Sequence, residues 1–495
     1  MSYQKKDVHL FDYKDTKLVY DVNSGSLLRT DDLGWELLHL LINSIGEQEQ
    51  VRGEKQEQQE HEAVISSLER KGYLREEIRA ALAQFEDLRM RKLLFSEAPD
   101  LSGHDSSASG GQRRVKSLCL FVTQGCNLHC RYCFARKEAD KGDGGAKQGG
   151  GSHQPMTFEI AKKAVDFLLS AEGPRFREID FFGGEPLLYF PLIKETVDYA
   201  KARSAVLGRE ASFTVTTNAL LLHDHVYSDQ NARDDVRENV VDFLNRENIN
   251  VIISIDGRPQ IHDLMRPRVG GGGSYETTLH NAKNFLEKRD FKNYYIRGTY
   301  TRENLDFCED IRHLLNLGFA SLSMEPVVAM QKESYALQEE DLPRLAEEYD
   351  RLVDLYLEQK QKGEPFVFYH FDMDLEKGPC LYKRISGCGA GTEYLAVSPE
   401  GDLYPCHHFV GEKGFCMGNL SGDLASLDQK GIGAEVSGSS KERSECGSCW
   451  ARYLCGGGCS ASSFFVAGDL KKNYQLGCAL QKMRLERALY LQAVL

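Results

Sequence analysis

The sequence predicts an α/β fold in which a parallel sheet curves into a partial barrel. From Ser117 onward, apolar strand-like runs alternate with segments that show the apolar period of helices. Six strand-helix units follow one another, and this order is typical of parallel strands joined by crossover helices. Glycine-rich and polar motifs directly follow several of the strands. Ligands bind at the carboxyl ends of the strands in such barrels, so these motifs are predicted to meet at one rim.

Length and composition bound the class of protein. With 495 residues the chain exceeds one ordinary hydrophobic core, and two or three domains are expected. The hydrophobic fraction of 41% and the charged fraction of 27% are typical of soluble globular proteins. The chain has no apolar run of about eighteen residues, and its first residues, MSYQKKDVHLFDY, lack the apolar segment of a signal peptide. We therefore expect a cytoplasmic protein that does not bind a membrane.

Charge and cysteine content narrow the possible partners. The formal net charge of −13 disfavours nucleic acids and anionic membranes, because both are bound through basic side chains. The fourteen cysteines, most at short regular spacings, indicate metal or cluster ligation, since a reducing cytoplasm does not keep disulfides.

Residues 1–97 are predicted to form a small sheet beside three helices, which is a winged-helix arrangement. The runs VHLFDY, KLVYDV and SLLRT have the composition of short strands joined by turns. Asp31 offers an N-cap for the first helix, and apolar periods at residues 64–68 and 78–88 predict the other two. The glycine- and serine-rich residues 98–113 are predicted to be a flexible linker.

Residues 114–365 are predicted to form the barrel. The six strands are SLCLFVT, EIDFF, SFTVTTN, VIISID, YYIRGTY and SLSMEPV. Helices are predicted from about Thr157, from Leu192, near 233–246, near 276–289, near 304–316 and, closing the unit, at 339–362. A Gly/Lys-rich insertion at 137–154 follows the first strand, and we expect no catalytic role for it.

Three cysteines follow the first of these strands. Cys126, Cys130 and Cys133 have the spacing C-x3-C-x2-C, and three thiolates in one loop occupy only three corners of a metal cluster. A structural zinc site closes its tetrahedron with four ligands, whereas a [4Fe-4S] cluster held by three cysteines keeps one iron open. Half of a zinc ribbon, with its other ligand elsewhere, remains the alternative. The motif, followed by the aromatic Phe134, resembles the signature of the radical SAM superfamily.

This resemblance implies a ligand for the open iron. In the family, S-adenosylmethionine (SAM) chelates that iron, and Phe134 would lie beside the adenine. By the same resemblance Gly183, Gly184 and Glu185 bind the SAM amino group, with the glycines permitting close backbone approach and Glu185 supplying a carboxylate. Four residues on later strands are predicted to contact the ribose, polar edges and carboxylate of SAM: Asn218, Ser254, Asp256 and Arg297. The alternative for each of these four is a polar residue that caps a loop.

Seven of the other eleven cysteines follow a second spacing: Cys388, Cys406, Cys446, Cys449, Cys455, Cys459 and Cys478. The pattern resembles the SPASM domain, which holds auxiliary [4Fe-4S] clusters in radical SAM enzymes that modify peptides and proteins. It implies one cluster on Cys446, Cys449, Cys455 and Cys478, and a second on Cys388, Cys406 and Cys459. We place this domain at residues 366–480 and a C-terminal helix at 481–495.

The second of these cysteine sets lacks an obvious fourth member. Either Cys380, in the run GPCLYKRISGCGAG, fills the position, or the corner is open for a substrate thiolate. The open corner is slightly favoured. His407 and His408 adjoin Cys406 and are candidates for hydrogen bonds that tune a cluster.

Over nearly its whole length the chain is similar to maturases of thioether-bridged peptides, namely the six-cysteine-precursor (SCIFF) maturases and the freyrasin-type ranthipeptide maturase. The segment DVNSG, the run GCGAGTEYLAVSPEGDLYPCH and the seven-cysteine tail carry this similarity. It implies three [4Fe-4S] clusters, SAM, an external electron donor of flavodoxin or ferredoxin type, and a cysteine-containing precursor peptide. The leader of that peptide would add a strand to the N-terminal sheet. The expected reaction joins a peptide cysteine sulfur to a carbon from which a 5′-deoxyadenosyl radical has removed a hydrogen.

Three alternatives remain open. Another SPASM activity, either formylglycine formation on a sulfatase or carbon-carbon crosslinking of a peptide, would use the same motifs. A zinc-stabilised binding protein without catalysis would not react with SAM. The N-terminal unit could instead be a structural cap or a DNA-binding winged helix, and the acidic charge of the chain disfavours DNA.

Overall fold

The computed structural model describes residues 5–43, 54–99, 114–135, 154–223, 239–373, 375, 387–422, 427–428 and 431–495. Most of the predicted linker, nearly all of the Gly/Lys-rich insertion, and Cys380 lie outside these residues. Within the described part of the chain, no helix combines the length and the apolar character needed to cross a membrane.

The N-terminal unit contains the three strands and three helices that the sequence predicts. An antiparallel sheet is formed by β1 (Val8–Tyr13), β2 (Thr16–Asp21) and β3 (Leu27–Thr30), in that order. The helices are α1 (Asp32–Asn43), α2 (Glu54–Arg70) and α3 (Arg75–Met90). The carboxylate of Asp31 accepts a hydrogen bond from the Gly34 N–H at 2.8 Å, which caps the start of α1 as predicted. The helices share one buried apolar cluster of Leu37, Leu41, Val64, Ile65, Leu68 and Ile78.

The central sheet confirms the predicted α/β fold with parallel strands. Its six barrel strands are β4 (Ser117–Thr123), β5 (Phe176–Gly183), β6 (Glu210–Thr217), β7 (Asn250–Ser254), β8 (Tyr294–Tyr300) and β9 (Ser321–Pro326). Each strand pairs in parallel with the next one along the chain. Their carboxyl ends therefore lie at the same edge of the sheet.

The connecting helices are α4 (Phe158–Ser170), α5 (Phe190–Leu207), α6 (Val240–Arg246), α7 (Pro259–Met265), α8 (Tyr275–Glu287), α9 (Phe307–Asn316) and α10 (Leu342–Gln361). The Thr157 side chain accepts a hydrogen bond from the Ile160 N–H at the start of α4, and Gly208 ends α5 in the left-handed conformation. The helix predicted at 233–246 is described from Val240 onward. Helix α7 was not predicted, because seven residues carry too little apolar periodicity.

The C-terminal part of the chain extends the same sheet. Strand β10 (Val367–Phe368) pairs with β9, and β11 (Tyr394–Val397) pairs in parallel with β4. Strands β12 (Asp402–Tyr404) and β13 (Gly418–Asn419) complete a ten-stranded sheet. The helices here are α11 (Ile432–Glu442), α12 (Arg452–Cys455), α13 (Ser460–Ala467) and α14 (Gln475–Val494).

The last helix differs from the prediction. Helix α14 begins at Gln475 rather than at residue 481, so Cys478 lies within the helix. Its first turn includes Gly477, which has a low intrinsic helix propensity. Packing of α14 against α10 and against β1 and β3 of the N-terminal sheet stabilises the longer helix, and this tertiary contact is not visible in a local sequence pattern.

Candidate active site

The three cysteines of the first motif lie in one loop, residues 124–135, which we call the cluster loop. Backbone hydrogen bonds hold this loop against the segment that ends α7. The His129 N–H donates to the Pro267 carbonyl at 2.7 Å. The Arg131 N–H donates to the Met265 carbonyl at 2.9 Å. The path of the loop is therefore fixed by protein contacts on this side.

Gly183 and Gly184 hold the other side of the cluster loop. A Cβ atom on Gly183 would lie 2.3 Å from the Thr123 carbonyl oxygen, and one on Gly184 would lie 2.2 Å from that of Gly125. The Gly184 N–H donates to the Thr123 carbonyl at 2.8 Å, and the Glu185 N–H donates to the Gly125 carbonyl at 2.9 Å. Close backbone packing therefore requires both glycines, a reason that the sequence prediction did not contain.

A cavity of about 1150 Å³ lies where the barrel strands end. Ten predicted residues line it: Cys126, Cys130, Cys133, Phe134, Gly183, Gly184, Glu185, Asn218, Ser254 and Arg297. Three cysteines of the C-terminal set also line it: Cys455, Cys459 and Cys478. The structure thus brings residues of both cysteine motifs to the wall of one cavity.

The cysteines of the cluster loop are half-buried at this wall. Burial raises the pKa of Cys126 and of Cys130 to about 12, and the nearby Arg266 guanidinium partly offsets the rise at Cys130. Metal coordination removes such a proton, since the thiolate is the ligand. Three thiols on one rigid loop beside a large cavity fit the donor set of a cluster with one open position.

Glu185 is fully buried, and its carboxylate is hydrogen-bonded to other groups of the protein. The carboxylate accepts hydrogen bonds from the Thr217 hydroxyl at 2.8 Å, the Leu187 N–H at 3.1 Å and the Asn218 N–H at 2.8 Å. Burial raises the pKa of Glu185 to about 7, although these three donors favour the charged form. The predicted partner of the SAM ammonium therefore also ties the end of β6 to the cluster loop.

Asp256 has a different position from the predicted SAM contact. It is fully buried and is not among the described residues that line the cavity. Its carboxylate accepts hydrogen bonds from the Tyr132 hydroxyl at 2.5 Å and the Thr299 N–H at 3.0 Å. It also pairs with the Arg266 guanidinium at 3.0 Å. Because Tyr132 lies between two cysteines of the cluster loop, the Asp256–Arg266 pair holds the middle of that loop.

Two charged residues that were not predicted line the cavity: Glu325 of the sixth barrel strand, β9, and Arg484 of the last helix, α14. Glu325 of β9 pairs with His370 at 2.9 Å and with Arg484 of α14 at 3.6 Å. Burial alone would raise the pKa of Glu325, but its two partners hold it well below its usual range. The polar end of SLSMEPV was a visible signal for Glu325, whereas nothing local marks Arg484.

Aromatic rings join the cluster loop to the C-terminal segment. The Phe134 ring centroid lies 4.1 Å from that of His408, and the Phe182 centroid lies 4.9 Å from that of His407. The Tyr394 hydroxyl is within hydrogen-bond distance of His407 Nδ1, at 2.7 Å. Burial lowers the pKa of His408 to about 4, which favours a neutral ring.

Several cysteines of the C-terminal set lie near one another. Burial, with Cys459 and Cys388 nearby, raises the pKa of Cys406 to about 12. Burial, with Cys455 and Cys446 nearby, raises that of Cys478 to about 11. Among the residues that the structure describes, no three His, Cys, Asp or Glu side chains converge closely enough to hold a single metal ion. Cys380, the candidate fourth member of the set with Cys388, lies outside those residues.

Comparison with known families agrees with this geometry. Residues 120–314 match the family model described as Radical SAM superfamily. This part of the chain is therefore similar to a radical SAM domain. The matched range begins within β4 and ends within α9, so it contains the cluster loop and the ends of the first five barrel strands.

Several relatives are similar over most of this chain. An uncharacterized protein of Methanocaldococcus jannaschii is 28% identical over 314 residues, which cover 62% of this chain and 89% of the relative. A cysteine-type anaerobic sulfatase-maturating enzyme of Clostridium perfringens is 24% identical, covering 71% of this chain and 91% of the enzyme. A solved structure of anSMEcpe with bound AdoMet has a TM-score of 0.60 at 21% identity, covering 76% of this chain and 94% of that one. At this identity the structural likeness shows a shared fold.

Proposed function

We propose that this chain is a radical SAM enzyme that modifies a ribosomally made precursor peptide by forming thioether bridges. The observation that carries the proposal is the single cavity lined by the cluster loop and by three C-terminal cysteines. A site for radical generation and a second cysteine site then face the same volume. The names of similar proteins, which include a sulfatase-maturating enzyme and the mycofactocin maturase of Mycolicibacterium smegmatis, support maturation of a peptide or protein.

In this proposal Cys126, Cys130 and Cys133 hold a [4Fe-4S] cluster, and SAM occupies the open iron. When bound, the cluster and SAM supply a 5′-deoxyadenosyl radical to the cavity. The protein contributes position and charge. Arg297 lines the cavity on β8, beside Ser254 of β7 in the strand register, and we assign its guanidinium to the SAM carboxylate.

We assign two auxiliary [4Fe-4S] clusters to the C-terminal cysteines. Cys446, Cys449, Cys455 and Cys478 supply four thiolates for one of them. Cys388, Cys406 and Cys459 supply three for the other, which leaves a corner for the cysteine of the peptide or for Cys380. Binding of the peptide sulfur at an iron would remove its thiol proton, as metal coordination does.

The balance of thioether formation explains why a second redox site belongs in this cavity. The acceptor carbon loses one hydrogen atom to the deoxyadenosyl radical, and the peptide thiol loses one proton. When the carbon-sulfur bond forms, one electron remains and must be accepted next to the sulfur. Cys459 lines the cavity and lies near Cys388 and Cys406, so a cluster held by these three cysteines would supply such an acceptor. An external donor of flavodoxin or ferredoxin type would supply the electron that reduces the SAM cluster.

The N-terminal sheet is the proposed site for the leader of the precursor. Its strand order leaves β1 and β3 at the two edges. Both edge strands contact α14, but the β1 side makes further contacts near the C-terminal cysteines: Arg452 contacts Asp7, just before β1, at 2.6 Å, and the His9 ring stacks on Trp450 at 3.9 Å. We therefore assign the leader to the edge of β3, where an added strand would gain main-chain hydrogen bonds.

A second candidate function is formylglycine formation on a sulfatase, which the name of the Clostridium perfringens relative favours. The small N-terminal sheet and helices favour a short peptide over a folded sulfatase, because they match the arrangement of a leader-binding unit. Carbon-carbon crosslinking of a peptide would use the same residues. The products distinguish the three, since only a thioether consumes a cysteine thiol without leaving an aldehyde.

The test begins with anaerobic purification and reconstitution with iron and sulfide. Three four-iron clusters predict about twelve irons per chain. SAM and dithionite should then yield 5′-deoxyadenosine. Short peptides with repeated cysteines that are encoded beside the gene should lose two hydrogens for each bridge formed, and their cysteines should become resistant to alkylation. Zinc in place of iron, with no SAM cleavage, would contradict the proposal and indicate a binding protein.

A further inference from the structure

The turn that ends β6 points to a role for Asn218 that the motif does not assign. Asn218 is buried, with 7% of its surface exposed, and its neighbour Ala219 is fully buried with a positive φ of 61°. A non-glycine residue adopts this conformation only where the surroundings impose it. The surrounding structure therefore fixes the backbone conformation of this turn, and with it the direction of the Asn218 side chain.

Hydrogen bonds fix the orientation of the Asn218 amide. Its Oδ1 accepts from the Leu220 N–H at 3.0 Å, so the nitrogen of the amide faces the other way. That nitrogen donates to Asn127 Oδ1 at 2.7 Å and lies 3.8 Å from the sulfur of Cys126. The backbone N–H of Leu128 also approaches this sulfur, at 3.4 Å. Two N–H groups of the protein thus point at one cysteine of the cluster loop.

Two separate elements, the segment after β5 and helix α8, hold the turn in place. The Asn218 N–H donates to the buried carboxylate of Glu185 at 2.8 Å. The Thr278 hydroxyl of α8 donates to the Asn218 carbonyl at 3.0 Å, and Asn281 of the same helix donates to the Ala219 carbonyl at 2.9 Å. Because the protein already engages both ends of the side-chain amide, its geometry suits the cluster loop better than the SAM ribose.

We infer that Asn218 is a positioning residue that raises the reduction potential of the cluster held by Cys126. This inference rests on the proposed ligation by the cluster loop and does not depend on any peptide chemistry. An N–H donor stabilises negative charge on a cysteine sulfur, and that charge grows when the cluster gains an electron. The hydrogen bond is consequently stronger in the reduced state, and the cluster becomes easier to reduce.

The test compares midpoint potentials without any peptide present. Asn218→Ala removes the donor, and Asn218→Asp keeps the Oδ1 that Leu220 contacts while replacing the donor by a negative charge. An anaerobic redox titration follows the electron paramagnetic resonance signal that changes when SAM is added. We expect the midpoint reduction potential of the SAM-responsive cluster to be lower in Asn218→Ala than in the unmodified protein, and lower again in Asn218→Asp. At an applied potential equal to the midpoint potential of the unmodified protein, the fraction of this cluster that is reduced should be several-fold smaller in both variants.

Asn281→Ala is the matched control, because it loosens the same turn and leaves the Asn218 amide in place. It should keep the midpoint of the unmodified protein, and the signals that do not respond to SAM should be unchanged in all variants. An unchanged midpoint in Asn218→Ala with full iron content would overturn the inference. An equal fall in Asn281→Ala, or loss of the SAM-responsive signal from both Asn218 variants, would also overturn it and leave Asn218 a purely structural role. Absence of any SAM-responsive signal in the unmodified protein would instead refute the proposed function.

Discussion

The two cysteine-rich regions of this protein are built in different ways. The cluster loop is one continuous stretch, and contacts from the barrel hold it on several sides: the glycine pair of β5, the Asn218 turn of β6, and the Asp256–Arg266 pair beyond β7. The C-terminal cysteines come from segments that extend from Cys388 to Cys478, and they meet only when those segments fold together.

The contacts that hold the C-terminal cysteines come from far away in the sequence. Arg452, between Cys449 and Cys455, donates to Asp7 Oδ1 at 2.6 Å and to Asn23 Oδ1 at 2.8 Å in the N-terminal unit. His9 stacks on Trp450 and is 3.0 Å from Glu486 of α14. The backbone of the cluster loop is therefore held by the barrel, with Phe134 at its end also contacting His408. The C-terminal cysteines instead lie on segments that contact the N-terminal unit and the last helix.

The largest expected effect is on SAM cleavage, which should require the cluster loop but not the C-terminal cysteines. Cys130→Ala should abolish 5′-deoxyadenosine formation and lower the iron content from about twelve to about eight per chain, because one cluster is lost. Cys455→Ala should lower the iron content equally but leave SAM cleavage measurable while peptide product disappears. Iron analysis and liquid chromatography of the nucleoside check both. Loss of SAM cleavage in Cys455→Ala with normal iron at the cluster loop would mean that the two regions do not act separately.

The next largest effect tests whether the barrel alone holds the cluster loop. Arg266→Ala would leave the Asp256 carboxylate buried without its cation, and removal of one partner of a buried pair costs about 3–5 kcal/mol. Arg268→Ala is the control, because Arg268 is a nearby arginine that donates to the Gly273 carbonyl at 2.8 Å from a more exposed position. We expect a clear fall in thermal unfolding midpoint and in the SAM-responsive signal for Arg266→Ala only. Equal behaviour of the two variants would show that the ion pair does not hold the loop.

The same contrast explains what the sequence could predict. The parallel strands of the barrel and the placement of ten predicted residues on one cavity wall agree with the structure, because each motif directly follows a strand and strand ends meet at one edge. Glu185 and Asp256 show the limit, since their carboxylates are engaged by protein groups that are distant in sequence. Arg484 and the start of α14 at Gln475 were missed for the same reason: tertiary contacts, and not local pattern, determine them.

A smaller effect should appear at the C-terminal cysteines when their link to the N-terminal unit is cut. Arg452→Gln loses a partly buried, charge-assisted contact with Asp7, worth about 2 kcal/mol. We expect the signals of the auxiliary clusters to broaden or decline and the SAM-responsive signal to stay unchanged. Lys14→Gln is the control, since it removes the exposed Lys14–Asp354 pair between the same unit and α10, where about 1 kcal/mol or less is at stake. Unchanged auxiliary signals in Arg452→Gln would show that the N-terminal unit is not needed for that geometry.

The smallest expected effect is a pH dependence of the stability of the protein that arises from a carboxylate in the barrel. Burial raises the pKa of Asp180 of β5 from 3.8 to about 7, with the Glu178 carboxylate adding to the rise and the Arg297 guanidinium opposing it. The folded protein therefore holds a proton that the unfolded chain has released, so the stability that this proton supplies is present at low pH and is lost as the pH rises toward 7. Between pH 6 and pH 8 the loss should be about 1 kcal/mol. Glu185 shifts in the same direction and adds to the slope.

Asp180→Asn isolates the contribution of Asp180 to that slope. The amide cannot titrate, so the thermal midpoint of the variant should fall less between pH 6 and pH 8 than that of the unmodified protein, with the remaining slope due to Glu185. Glu178→Gln should give an intermediate slope, because it removes the charge that adds to the pKa shift of Asp180. If Asp180→Asn keeps the full slope, the barrel interior around Asp180 is more hydrated than its contacts indicate. The pH dependence would then arise from Glu185 or from groups outside the barrel.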